Sequence, residues 1–145
     1  MRTKRFLFRL SSYILVVTSG LHLVGHFTER VTPKDEAGRT LLDLMQTYAL
    51  DYFGLQRTML DFMTGYSLTF ANMAFFVGVL NLAIVRFHPR DRNFLQTVIL
   101  LNVLFSGVQL CIAARYFVHP PIISFGLTLL GFGAAFLTPG EAEPA

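Results

Sequence analysis

Charge is scarce in this chain. Asp, Glu, Lys and Arg make up only 14% of its 145 residues, where an average soluble domain carries about a quarter. Hydrophobic residues make up 53%, and the mean hydropathy is +0.52. A water-soluble fold of this length has too much surface for its volume to hide that much apolar area in one core, so lipid is the expected solvent. Cysteine is almost absent. Cys111 stands alone inside an apolar stretch, which excludes an intrachain disulfide, leaves the redox compartment unread and suggests an inert buried thiol. The net charge of +3 and a pI near 9.4 come from Lys and Arg beside apolar segments, not from a basic patch interleaved with aromatics. That pattern argues against nucleic acid as a partner. There is no internal repeat, no complete catalytic or cofactor signature, and no low-complexity tract beyond a short C-terminal tail.

What the chain does have is four apolar stretches, about 6–27, 63–87, 94–117 and 121–137. Each is long enough to cross a hydrocarbon layer at about 1.5 Å rise per residue. The expected fold class is all-α: a four-transmembrane-helix bundle with a short interfacial helix in the first external loop. Residues 1–138 form one membrane domain, and 139–145 form a polar tail. The basic start followed by Leu10 to Val17 imitates a secretory leader, with Val17-Thr18-Ser19-Gly20 as a passable cleavage site. The apolar run continues to Phe27, however, which suits a retained span better than a removable leader. Arg2, Lys4, Arg5, Arg9, Arg86, Arg90 and Arg92 fall on one side of such a four-span chain. Arg30, Lys34, Arg39, Arg57 and Arg115 fall on the other, together with an acid-rich loop. The positive-inside rule then puts both termini in the cytoplasm and the chain in the inner (cytoplasmic) membrane.

The segment 28–62 is too long for a simple connection. Thr32-Pro33-Lys34-Asp35-Glu36 reads as a turn entering a helix, and Leu41, Leu44, Met45, Tyr48 and Tyr52 recur at helical spacing. The expectation is a helix lying at the membrane surface, broken at Gly54, with residues 55–62 forming the first turns of the second span. His88-Pro89-Arg90-Asp91-Arg92-Asn93 and His119-Pro120-Pro121 read as tight turns, and His88 as solvated. Helices in lipid associate through small and hydrogen-bonding side chains. Gly20, Gly25, Gly65, Gly78, Gly107, Gly126, Gly131 and Ala135 would permit close approach. Asn72, Asn81, Asn102 and Gln109 would turn inward to hydrogen-bond between helices.

Ionisable residues gather at the outer ends of the spans. His22, His26 and Glu29 are spaced four and three apart and so share one helix face. Arg57 and Asp61 begin the second span on that side, and Arg115 and His119 end the third. Such residues near a bilayer are candidates for a ligand pocket. Structural polar packing, with Arg57 and Asp61 as an i,i+4 ion pair, is the simplest account. A metal ion on His22 and His26 is a second, although Glu29 lies about 10 Å along the axis from His22 and another helix would have to complete the shell. A haem between His26 and His119 is a third, without any attachment motif of the c type. A lipid, quinone or other small-molecule pocket is the fourth, with a histidine and Asp61 relaying protons. His22 lies about one turn deeper than His26, which makes it the histidine expected to accept a proton or a metal.

The segments Gly20-Leu21-His22-Leu23-Val24-Gly25-His26-Phe27, residues 57–70 and Gly78-Val79-Leu80-Asn81-Leu82 resemble small bacterial four-helix membrane proteins of unassigned function. More distantly they are similar to DoxX-like membrane proteins, some of which associate with quinone-linked redox systems. The resemblance covers roughly residues 14–105 and implies four membrane helices, with the His22/His26 and Arg57/Asp61 segments as matched positions. The long loop at 28–62 departs from the shorter DoxX pattern. The expected role is a structural or accessory membrane component with a polar outer-face pocket. The competing role is a quinone-linked or metal-dependent membrane oxidoreductase subunit using His22 and His26. The lipid bilayer is the expected partner, and a second membrane protein is a candidate one.

Overall fold

A computed structural model describes residues 2–28, 32–88, 91–117 and 119–139. The elements in chain order are helix α1 (Arg2–Thr28), helix α2 (Glu36–Thr47), strands β1 (Ala49–Tyr52) and β2 (Leu55–Thr58), and helices α3 (Met59–Phe87), α4 (Arg92–Tyr116) and α5 (His119–Leu137). Four of them, α1, α3, α4 and α5, are long and apolar enough to cross a membrane. Of the tail expected at 139–145, all but Pro139 lies outside the described residues.

Local chemistry sets the helix ends. Thr58 caps α3: its hydroxyl accepts from the Asp61 N–H at 3.1 Å while the Asp61 carboxylate accepts from the Thr58 N–H at 2.9 Å. This capping box satisfies two orphan donors and starts α3 at Met59, four residues before the apolar stretch at 63 and within the segment 55–62 expected as its first turns. Asp91 caps α4 by accepting from the Phe94 N–H at 2.9 Å, and Asp35 caps α2 by accepting from the Gly38 N–H at 2.7 Å. Pro120 and Pro121 fall in the first turn of α5, where a missing N–H costs no helical bond.

The segment after α2 corrects the sequence-based expectation. The helix does not run on to Gly54, and residues 55–58 are not helical. Ala49–Tyr52 pairs antiparallel with Leu55–Thr58, Tyr52 opposite Leu55 and Ala49 opposite Thr58. The turn residues Phe53 and Gly54 both take positive φ, 55° and 81°, as a tight two-residue hairpin turn of the I′ kind requires. The Asp51 carboxylate accepts from the Gly54 N–H at 2.8 Å and holds the turn. Tyr48, Leu50 and Tyr52 also alternate with a period of two, so the aromatic run fits a strand as well as a helix wheel.

The four long helices alternate in direction. Residues early in α1 face residues late in α3 and α5: Ser12 and Val16 lie against Gly78, the Ser19 hydroxyl donates to the Ala71 carbonyl at 2.7 Å, and Phe8 packs on Phe132 with ring centres 5.5 Å apart. α1 packs along both α3 and α5, α5 packs along α4, and α3 and α4 scarcely touch. The α3/α4 seam is closed on its inner side by a buried reciprocal amide pair. Asn81 donates to Asn102 at 2.7 Å and Asn102 donates back at 3.0 Å. At the chain end carrying Lys4, the Lys4 ammonium donates to Gln96 at 2.7 Å and the Gln96 amide reaches the Phe136 carbonyl at 3.3 Å. This is the basic end of the molecule, and His22, His26 and His119 occupy the opposite end.

Small and hydroxylated residues sit where helices meet, and large apolar residues cover the outside. Ser11, Ser12, Ser19, Ala71, Ala74 and Gly78 are buried, while Val17, Phe76, Leu104 and Leu130 are 57%, 64%, 57% and 71% exposed. In water that exterior would be costly; in lipid it is the expected one. A Cβ at Gly78 would lie 2.7 Å from Val16 Cγ2 and 2.8 Å from the Ser12 carbonyl oxygen, and one at Gly131 would collide with the Ser11 hydroxyl. No atom of another helix lies within 4 Å of such a Cβ at Gly20, Gly25, Gly65, Gly107 or Gly126, so these glycines do not serve close approach. Asn72 is likewise corrected. The inward stripe of α3 runs Ala71, Ala74, Gly78, Asn81, Val85, and Asn72 falls one residue off it and is exposed. Cys111 is exposed rather than buried, about 160° around α4 from buried Ala113.

Candidate functional site

His22 and His26 lie one turn apart on α1 and face α3. Ser67 sits between them: its hydroxyl oxygen is 2.9 Å from His22 Nε2 and 3.0 Å from His26 Nδ1. A serine hydroxyl has one proton to give and lone pairs to accept with. With both imidazoles neutral, Ser67 therefore donates to one ring and accepts an N–H from the other. Reversing the hydroxyl exchanges the tautomers of both rings together, so the three groups behave as one hydrogen-bonded unit. The His22 ring also packs edge-on against Phe70, centres 4.9 Å apart, and Phe70 against the buried Phe125 at 5.8 Å. Those contacts lock the His22 ring in place. Ser67 itself was missed in the sequence; the available signal was a lone hydroxyl on the inner side of a span, opposite a histidine pair.

His22 and Ser67 stand on the wall of a cavity of about 540 Å³, a size suited to a small organic molecule. It fills the space where α3 and α4 part beyond the Asn81–Asn102 pair. From α3 it is lined by Met63, Tyr66, Ser67 and Phe70, from α4 by Gln109, Ile112, Ala113 and Phe117, and from α5 by Pro121 and Phe125. Among the described residues no Asp, Glu, Lys or Arg lines it. The half-buried Gln109 amide, with two donors and an acceptor, has no hydrogen-bond partner among the described residues.

Of the seven residues expected to form one pocket, the six described fall in separate places. His22 and His26 meet at Ser67. Arg57 and Asp61 line a different, open groove of about 520 Å³ on the other side of Tyr66, with Phe62, Gly65 and Thr69. They are not an i,i+4 pair on one helix either, because Arg57 belongs to β2 and Asp61 to the first turn of α3. The Arg57 guanidinium donates to the Gln56 carbonyl at 2.8 Å, and the Asp61 carboxylate is engaged by the Thr58 N–H. Arg115 is exposed, its guanidinium 5.7 Å from the centre of the Tyr116 ring. His119 is exposed at the start of α5, and Glu29 lies outside the described residues. Of the four polar residues expected between helices, Asn81 and Asn102 pair with each other, Gln109 faces the cavity and Asn72 faces outward.

For a metal, His22 and His26 offer two imidazoles whose facing nitrogens are both hydrogen-bonded to Ser67. Among the described residues no group of three or more His, Cys, Asp or Glu side chains gathers, whereas a protein-held transition metal ordinarily takes three or four such donors. For a neutral molecule with a carbonyl or hydroxyl group, the cavity offers the Gln109 amide on one wall and the Ser67–histidine unit on another.

Protein families, curated proteins and solved structures were all compared with this chain. None matches it.

Proposed function

We propose that this chain is an integral membrane protein of four spans packed as a bundle, with both termini on the cytoplasmic side of the inner membrane. Its cavity takes up a neutral, lipid-soluble molecule bearing a carbonyl or hydroxyl group. Its role is that of an accessory membrane component which holds such a molecule. The observation that carries this reading is the cavity at the α3/α4 seam: apolar and, among the described residues, without a charged lining group and with a Gln109 amide that has no hydrogen-bond partner. A polar group at that depth costs free energy unless something pairs with it. α2 belongs to the same picture. Leu41, Leu44 and Tyr48 are exposed, and none of its residues is buried, which suits a helix lying in the headgroup region.

A second reading has one observation in its favour. A hydroxyl held between two imidazoles is a short proton path, which would serve a quinone-linked redox subunit of the kind that the DoxX-like resemblance implies. In that case a quinone carbonyl would accept from Gln109 or from the Ser67–His22 unit.

Purification of the full-length chain in mild detergent, followed by lipid-extract mass spectrometry, metal analysis and an optical spectrum, tests both readings. The accessory reading expects a neutral organic species near one per chain, depleted in Gln109→Leu. A stoichiometric quinone would favour the redox reading. No retained species, or equal retention in Gln109→Leu, would remove the cavity from the argument.

A further inference from the structure

A second cleft lies at the basic end, between α1 and α3, and is unrelated to the histidines. It measures about 470 Å³ and is lined by Arg9 and Tyr13 from α1 and by Val79, Leu82, Ala83 and Arg86 from α3. Gly78 adjoins its Val79 wall. There the two helices close so tightly that a Cβ would strike the Ser12 carbonyl, and the cleft opens from that point toward Arg86, about 12 Å farther along the axis. Its floor is apolar and its mouth carries two guanidinium groups. No carboxylate lines it, and neither Arg9 nor Arg86 has a hydrogen-bond or ion-pair partner among the described residues. Among the described residues the carboxylate at this end is that of Asp91, which caps α4. Arg86 also sits in the last turn of α3, where the helix terminus favours a cation.

We propose that this cleft binds the phosphodiester of an anionic phospholipid. Arg9 and Arg86 take the phosphate from two different helices, the Tyr13 hydroxyl reaches the glycerol region, and an acyl chain lies on Val79, Leu82 and Ala83. Guanidinium forks match phosphate oxygens bidentately, and basic recesses between membrane helices suit such headgroups. Two adjacent guanidiniums disfavour a headgroup that carries its own ammonium, so phosphatidylglycerol is preferred over phosphatidylcholine. The inference rests on the four-span reading above but not on the cavity at the histidine end.

The test is native mass spectrometry of the full-length chain in nonionic detergent with phosphatidylglycerol or phosphatidylcholine of matched acyl chains. The unmodified chain is expected to retain phosphatidylglycerol about tenfold better, two charge-assisted contacts being ample for that ratio. Arg9→Gln/Arg86→Gln should abolish the preference. Lys34→Gln/Arg39→Gln, which removes the same charge elsewhere, should keep it. Equal retention of both lipids by the unmodified chain, a preference surviving in Arg9→Gln/Arg86→Gln, or displacement of the lipid by inorganic phosphate would each overturn the proposal. Should that double variant fail to fold, photoactivatable phosphatidylglycerol on the unmodified chain decides the matter. Labelling within 9–13 and 79–86 supports the cleft, and labelling elsewhere refutes it. Alkaline carbonate washing of membranes keeps the two readings apart. A chain released by carbonate fails as a membrane-spanning protein, whereas a retained chain without lipid preference fails only at the cleft.

Discussion

Removing one oxygen atom at Ser67 tests whether the histidine end is organised as described. Ser67→Ala deletes both interhelical contacts of the hydroxyl, at 2.9 Å to His22 and 3.0 Å to His26. Interhelical hydrogen bonds in membrane proteins average about 0.6 kcal/mol and reach about 1.7 kcal/mol. Two of them give an expected loss of about 1–3 kcal/mol, at the higher end if the stranded imidazole nitrogens find no other partner. The absolute loss alone does not identify the partner, so the measurement is a double-mutant cycle. Ser67→Ala, His22→Phe and the combined variant are unfolded reversibly in mixed detergent micelles. His22→Phe keeps an aromatic ring beside Phe70 while removing both nitrogens, which leaves packing largely intact. The Ser67–His22 bond should then appear as a coupling of about 0.5–1.5 kcal/mol. Ser12→Ala, which removes a buried hydroxyl bond to the Phe8 carbonyl about 15 Å along α1 from His22, provides the reference and should show no coupling to His22→Phe. Additivity of Ser67→Ala and His22→Phe within about 0.3 kcal/mol would refute the hydrogen-bonded unit.

Gly78→Ala should destabilise the chain by about 1–3 kcal/mol, because the new methyl meets the Ser12 backbone oxygen, whereas Gly107→Ala, with open space around it, should be neutral or stabilising in the same unfolding assay. Asn81→Leu should cost about 1–3 kcal/mol by leaving the Asn102 carbonyl unpaired, and adding Asn102→Leu should recover part of that loss, a sign change that independent sites would not give. Cysteine introduced at Lys34 should react with an impermeant thiol reagent on intact cells and cysteine at Arg92 should not; the opposite pattern would invert the proposed orientation.

The spans were legible because hydropathy over some twenty residues is a summed signal, insensitive to any one side chain. Their faces were harder to assign. With both sides of a span apolar, the wheel position that turns inward is decided by which small residues can meet, and here that was Gly78 against Ser12 and Val16 rather than Gly65 or Gly107. Asn72 illustrates the cost of reading polarity alone. An amide was expected to face other helices, but the stripe of Ala71, Ala74 and Gly78 beside it carries the contact and leaves Asn72 outside. The hairpin was hidden by a real ambiguity. Residues 48, 50 and 52 satisfy a period of two while residues 41, 44, 45, 48 and 52 satisfy the helical one, and the turn chemistry of Asp51 and Gly54 decides between them.

The histidine site shows a different limit. Spacing placed His22 and His26 on one face and suggested that they act as a pair, but spacing cannot supply the third group that joins them. Ser67 comes from a helix more than forty residues away and carries no charge to attract notice. Arg57 and Asp61 failed as partners for a local reason: the capping box at Thr58 engages Asp61 before any distant group can, and the hairpin takes Arg57 off the helix altogether. Charged residues at the ends of membrane helices are thus poor guides to a site, because helix capping and water compete for them. An uncharged amide turned into an apolar cavity, as Gln109 is, has neither alternative. By that argument the Gln109 amide, rather than the ionised residues around it, is where the proposed uptake of a neutral molecule is to be tested.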